Sequence, residues 1–127
     1  MNINKILEEA PAQISKLAQS AEDSRFIWKC AEIQKEQLEA KKHLLYKAEK
    51  DGLTAPDLKA KVVDDEAVYQ KRMECLTLES AYKKRLIEME SWINAFTSAR
   101  KKASLQIEEL KSLNNTIIQT TKTGGRV

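Results

Sequence analysis

The run from Glu66 to Leu113 constrains the fold more than any other part of the sequence. Its 48 residues contain neither Gly nor Pro, so no residue type in the run interrupts a helix. Apolar residues recur along it in steps of four and three, which keeps one stripe on the same side of a helix. At ~1.5 Å per residue such a helix extends roughly 70 Å. We therefore expect another helix along its side, from the same chain or from a second copy.

The stripe on this long helix is predicted to form a packing seam. Its apolar members in the C-terminal two thirds of the run are Leu86, Met89, Ile93, Phe96, Ala103, Ile107 and Leu110. Arg100 falls in the same stripe, where a charged residue either reaches solvent or specifies the register of the pairing.

The remaining segments are predicted as further helices and a connector. Residues 1–21 are expected to form an arm that Pro11 kinks or divides into two short helices. Residues 22–50 form a second helix, and residues 51–65 form a connector with a helical turn near Pro56. The second helix is predicted to pack through positions that step by four and three: Phe26, Cys30, Ile33, Gln37, Ala40 and Leu44. Four further residues widen this stripe on one flank: Ile27, Ala31, Leu38 and Leu45.

These segments predict an all-α fold, an elongated, coiled-coil-like antiparallel helical hairpin with a kinked N-terminal arm and one very long C-terminal helix. Residues 1–118 would form a single helical domain, with the long helix over 66–113 and a flexible tail over 119–127. The two arms of the hairpin differ in length, so part of the long seam is left without an intramolecular partner. We therefore expect a homo-oligomer.

The composition argues against a compact mixed fold, a disulfide-bonded protein and a membrane protein. Aromatic residues make up 6% of the chain and charged residues 32%, which is typical of a helical protein with a thin core. Cys30 and Cys75 both fall on apolar stripes, so we expect reduced core thiols in a cytoplasmic protein. Neither a signal peptide nor an apolar run near ~20 residues is present, which predicts no membrane partner.

No pattern of residues supports an enzyme. His43 is the single histidine, and no Cys–His pair has metal-ligand spacing. The chain also lacks a Gly-rich phosphate loop and a serine nucleophile elbow. We therefore expect no catalytic residue, no metal and no cofactor.

The informative chemistry is the positive charge of the long helix. Between Lys83 and Lys102 six basic residues stand against Glu88 and Glu90, a net charge of +4. The bases form two triplets: Lys83, Lys84 and Arg85, then Arg100, Lys101 and Lys102. The triplets recur after 17–18 residues, about five helical turns, which predicts a shared face. The end of the second helix adds Lys41, Lys42 and Lys47. Three interpretations are open: these cations bind a nucleic-acid backbone, they bind an acidic protein, or they form a solvated face without a ligand.

The order of parts resembles one known family. The helix FIWKCAEIQKEQLEAKKHLLYKAEKDG ends in a basic segment before a turn, and VVDDEAVYQKRMECLTLESAYKKRLIEMESWINAFTSARKKASLQIEEL follows the loop. Over residues 24–112 this is similar to the UvsY-type recombination mediators and comparable small helical proteins of phage recombination operons. The resemblance implies binding of single-stranded DNA, ring-like oligomers, and a role beside a recombinase and a single-strand-binding protein. It also implies DNA contact by the basic segment from Lys41, in the host bacterial cytoplasm.

Two functions remain open from the sequence. The first is a non-enzymatic oligomeric protein that binds single-stranded DNA through backbone charge and assists phage-type recombination. The alternative is a phage-encoded protein-interaction module that inhibits or adapts a host defence or repair enzyme.

Overall fold

Three helices account for nearly all of the described chain. The computed structural model describes residues 2–49 and 52–124, and side chains over 2–49 and 52–119. Helix α1 spans Ile3–Glu49, α2 spans Ala55–Asp64 and α3 spans Glu66–Gly124. The predicted all-α class is confirmed, since the described residues contain no strand. The chain divides into two compact units, Leu17–Glu88 and a second that joins Met1–Lys16 to Met89–Val127.

Helix α1 is a single continuous helix, whereas the sequence predicted an arm followed by a second helix. It continues through Pro11, so the predicted division near residue 21 is wrong. Proline removes one backbone donor, but its neighbours Ala10 and Ala12 favour helix, and the Pro11 ring lies on an exposed face. The helix begins at Asn2, whose side-chain oxygen accepts the Lys5 N–H at 2.8 Å.

The face of α1 that packs within the unit Leu17–Glu88 overlaps the predicted stripe only on its flank, where Ala31 is buried and Leu38 is half-buried. Phe26 is 68% exposed, and Ile33 and Leu44 are also exposed. The half-buried and buried positions step by three and four along another face: Ala21, Ser24, Trp28, Ala31, Lys35, Leu38 and Lys42. The sequence holds two stripes of heptad spacing on this helix, and periodicity alone does not say which one meets α3.

Contacts within that unit pair α1 with α3 in antiparallel fashion. Trp28 stacks on Tyr82 with ring centroids 5.7 Å apart, and Glu39 accepts two hydrogen bonds from Arg72 at 3.1 and 3.2 Å. Rising numbers on α1 therefore meet falling numbers on α3, which confirms the antiparallel pairing here. Trp28 and Tyr82 therefore act in packing between the two helices.

The core at this pairing is small. Val68 is fully buried and Cys75 is buried, and burial raises the pKa of the Cys75 thiol above its usual range. Cys75 and Cys30 are both free thiols, as the sequence predicted. The buried alanines allow the helix backbones to approach closely, so few bulky side chains are needed.

Helix α2 extends the helical turn that was predicted near Pro56. Thr54 caps it by accepting the Asp57 N–H at 3.3 Å, and Pro56 occupies its first turn, where no backbone donor is lost. Leu58 and Val62 are buried, which explains why the helix persists for ten residues. Burial of these two side chains holds the connector against the rest of its unit.

Asp65 joins α2 to α3 and to the end of α1. One oxygen of its carboxylate accepts the Val68 N–H at 3.2 Å, which caps α3. The other accepts the Tyr46 hydroxyl and lies 3.4 Å from the Lys42 ammonium. Asp65 therefore caps α3 and connects its start to the end of α1.

The Asp65 carboxylate predicts a pH effect on stability. The Tyr46 hydroxyl, the Val68 amide and Lys42 together hold the pKa of Asp65 below its ordinary value of 3.8. Its stabilising contribution is therefore fully present above pH ~4 and is lost as pH falls through the lowered folded-state pKa. Urea unfolding at several pH values should show a gap between wild type and Asp65→Asn that closes as the solution is acidified. A gap that is constant from pH 6 to pH 2 would contradict this role.

Helix α3 continues beyond its predicted end. The sequence predicted an end at residue 113, before Asn114 and Asn115, but the helix reaches Gly124. Neither residue has the left-handed backbone that ends helices, since the described residues show positive φ only at Gly52. The predicted flexible tail of 119–127 is therefore helical as far as residue 124, and residues 125–127 lie outside the described residues.

The second unit packs the start of α1 with α3 from Met89 onward. Ala10 is 0% exposed and Ala99 is 2% exposed, so small residues again mark the closest approach of the helices. On α3 the half-buried side chains here are Met89, Trp92, Ala95, Phe96 and Ala103. Ile93 was predicted in the seam but is exposed, because the covered face is centred on Trp92 and Ala99 instead.

Candidate nucleic-acid interface

The first basic triplet lies on α3 within the unit Leu17–Glu88. Lys83, Lys84 and Arg85 are all exposed. Lys83 forms an ion pair with Glu79 at 2.9 Å, one helical turn earlier. Such a surface pair contributes roughly 0–1 kcal/mol, so it does not prevent Lys83 from turning to an anion. Among the described residues, Lys84 and Arg85 belong to no ion pair.

Two hydroxyl groups accompany Lys84. A shallow groove on this face of α3 is lined by Leu76, Thr77, Ser80, Ala81 and Lys84. The Thr77 hydroxyl donates its proton to the Met73 carbonyl at 3.0 Å, so the Ser80 hydroxyl is the one left to donate to a phosphate oxygen. Hydroxyls and ammonium groups are both common ligands of phosphate oxygens. The groove therefore has the composition of a weak phosphate site.

The second basic triplet lies in the other unit. Arg100, Lys101 and Lys102 are exposed, and the Arg100 guanidinium lies 5.8 Å from the centre of the Phe96 ring. Arg100 was predicted within the seam, and it reaches solvent while Ala99 takes the buried position. This is the outcome in which a charged stripe residue extends away from the packed face.

A groove beside this triplet repeats the chemistry of the first. Its lining includes two cations and two hydroxyls, with Leu105 and Glu108 at one end: Thr97, Arg100, Lys101, Ser104, Leu105 and Glu108. Sequence reasoning found the cations but missed the hydroxyls of Thr77, Ser80, Thr97 and Ser104. For Ser80, Thr97 and Ser104 the available signal was a spacing of three or four residues from a basic residue, since such positions are neighbours on a helix.

The predicted basic segment at the end of α1 is only partly available. Lys41 and Lys47 are exposed and belong to no ion pair among the described residues. Lys42 is half-buried and its ammonium lies 3.4 Å from Asp65. Lys42 therefore stabilises the junction of the three helices, and we leave it out of the candidate interface. The sequence around Lys42 gave no reason to expect this ion pair, because Asp65 lies 23 residues further along the chain.

The predicted seam residues have two different environments. Leu86, Met89, Phe96 and Ala103 are half-buried within their units. Ile107 and Leu110 are 53% and 65% exposed. Apart from the exposed Ile93, the predicted seam is therefore half-buried as far as Ala103, and it is exposed from Ile107 onward.

Other kinds of site find little support among the described residues. No group of three or more His, Cys, Asp or Glu side chains in that part of the chain could hold a metal ion. His43 is exposed at the surface of α1. No helix in the described part of the chain has both the length and the apolar character to span a bilayer.

Comparisons with protein-family models, with curated proteins and with solved structures found no match to this chain.

Proposed function

We propose that this chain is a non-enzymatic, self-associating helical protein that binds single-stranded nucleic acid through backbone charge. The observation that carries the proposal is the pair of exposed Lys/Arg triplets on α3, each beside a groove with Ser and Thr hydroxyls. Lys41 and Lys47 extend the positive charge within the unit Leu17–Glu88. Contacts of this kind position a phosphate backbone and carry no sequence information.

The single-stranded preference and the biological role rest on the resemblance to UvsY-type mediators. In that role the protein would act as a recombination mediator or accessory in phage-type DNA recombination, in the cytoplasm of a bacterial host. A recombinase and a single-strand-binding protein would be its partners. Aromatic stacking contributes little, because Trp28 and Tyr82 stack on each other inside their unit.

The salt dependence of binding tests the proposal directly. Neutralised phosphates release counterions, so the logarithm of the binding constant should fall linearly with the logarithm of salt concentration. With about four phosphates contacted, the slope on a single strand should be roughly −3. Fluorescence anisotropy of a labelled oligothymidine measures this between low and physiological salt. A slope near zero, or no binding at low salt, would refute binding through backbone charge.

A second function is favoured by a different observation. Phe26, Ile33 and Leu44 form an exposed apolar stripe on α1, which suits a protein partner better than a polyanion. Here the chain would inhibit or adapt a host defence or repair enzyme. The two functions separate in a nuclease-treated host lysate, with wild type compared to an Ile33→Glu variant. A stoichiometric protein retained by wild type and lost by the variant, with no oligonucleotide retained, would favour this alternative.

A further inference from the structure

The last described part of α3 presents apolar side chains to solvent. Every described side chain from Ser104 to Gln119 is exposed. Four of them, which we call the C-terminal stripe, lie on one side of the helix by their spacing: Ile107, Leu110, Leu113 and Ile118. Solitary surface apolar residues are common, but a row of large aliphatic side chains over three turns marks an interaction surface.

The C-terminal stripe continues a face that is already used for packing. Met89, Phe96 and Ala103 follow one another at seven-residue intervals and are half-buried within this unit. Leu110 is the next position in that series and is 65% exposed. The same side of α3 is therefore covered by a helix as far as Ala103 and uncovered from Ile107 onward. Another helix with apolar residues at the same spacing would cover this exposed side of α3.

The heptad positions identify which helix fits. Counting from the four-and-three steps, Ile107 and Asn114 take position a, and Leu110 takes position d. Ile117 takes the next d position, so the mixture of Ile and Leu at a and d favours no particular number of strands, whereas a single Asn at a specifies both the register and the number of strands. We infer that a second copy of this chain covers the C-terminal stripe, with the two α3 helices parallel and Asn114 facing Asn114 of the other copy. This deepens the proposed self-association by naming its surface, orientation and register.

The flanking residues agree with a parallel pair. In that arrangement a residue at position g meets the residue five positions later on the other helix. Leu113 would meet Ile118 of the second copy and Gln106 would meet its Lys111, so the first contact adds apolar area and the second brings no like charges together. An antiparallel pair sets a positions against d positions. Asn114 would then lie against Leu110 or another apolar side chain, with its amide unpaired.

A pair of matched variants tests the surface. Leu110→Asp places a charge in the stripe, whereas Leu105→Asp makes the same change at an exposed leucine that heptad counting puts on the opposite side of α3. In sedimentation velocity without nucleic acid, wild type and Leu105→Asp should form dimers as concentration rises. Leu110→Asp should remain a monomer with unchanged helical circular dichroism. A wild type that stays monomeric, or a Leu110→Asp variant that still dimerises, would overturn the inference.

Cross-linking tests the orientation. With Cys30 and Cys75 replaced by Ala, Leu110→Cys should form a disulfide-linked dimer under mild oxidation, because equivalent d positions face each other only in a parallel, in-register pair. Leu105→Cys is the matched control and should not cross-link at the same concentration. Equal cross-linking of the two variants, or none at position 110, would rule out the parallel pair.

Asn114 provides a separate test of register. Asn114→Leu should associate more tightly and give more than one assembly, because the buried amide costs stability while it specifies one arrangement. Multi-angle light scattering should show masses above the dimer for this variant. A variant that retains a single dimer with wild-type concentration dependence would show that Asn114 does not face its counterpart. None of these measurements contains nucleic acid, so their failure would leave the binding proposal to be judged by its salt dependence.

Discussion

Reversing the charge of four exposed cations on α3 is expected to lower the affinity for single-stranded DNA by roughly 100-fold or more at low salt. The variant carries Glu at Lys84, Arg85, Lys101 and Lys102. These residues are exposed and belong to no ion pair among the described residues, so their loss should cost little folding stability. Each replacement removes a phosphate contact and adds a repulsive charge. Fluorescence anisotropy with a labelled oligothymidine measures the change.

A control with the same change in net charge separates local contacts from general attraction. Glu at Lys5, Lys16, Arg25 and Lys59 makes an equal change at exposed positions outside both triplets. The control should lose far less affinity than the α3 variant, and both should keep wild-type helical content. Equal losses would mean that the triplets are not the binding surface, and unaffected binding in the α3 variant would remove them from the proposal.

Placing a carboxylate on the packed face of α1 is expected to have the largest effect on stability. Ala31→Asp introduces a charge at a position that is 3% exposed, against the core formed with α3. A buried charge without a partner should lower the free energy of unfolding by roughly 3 kcal/mol, a large part of the stability of a small domain. Urea unfolding followed by circular dichroism measures this loss.

Ala40→Asp is the matched control on the same helix. Ala40 is exposed, so the change should cost only the lower helix propensity of Asp, about 0.5 kcal/mol. The difference between the two variants therefore reports burial alone. A larger cost for Ala40→Asp than for Ala31→Asp would indicate that α1 packs through the predicted stripe, to which Ala40 belongs together with Ile33 and Leu44.

Local chemistry made several features predictable without the fold. The helical class follows from the near absence of Gly and Pro and from the heptad spacing, and the structure confirms it. Pro56 predicted the helical turn that begins α2. The basic triplets are exposed, as expected of charged side chains on a helix. Each of these depends on residues within one or two helical turns.

Only part of the candidate nucleic-acid interface was predictable from the sequence, because the surroundings of a side chain depend on distant residues. The cations were visible as runs of like charge, but Lys42 cannot be separated from Lys41 by sequence because its partner Asp65 lies beyond the turn and α2. The hydroxyls beside each triplet became apparent once the side chains that line each groove were known. A side chain's availability depends on what the distant chain brings beside it.

What the sequence by itself determined is where helices form, how they are capped and which faces are apolar. What the tertiary structure decided is which of those faces are covered. Helix α1 has two stripes of equal spacing, and contact with Tyr82 and Arg72 of α3 selects the one that contains Trp28 and Ala31. On α3 the covered positions are Trp92 and Ala99 in place of Ile93 and Arg100. Periodicity arises from the geometry of one helix, whereas burial requires a second helix at a particular distance and angle.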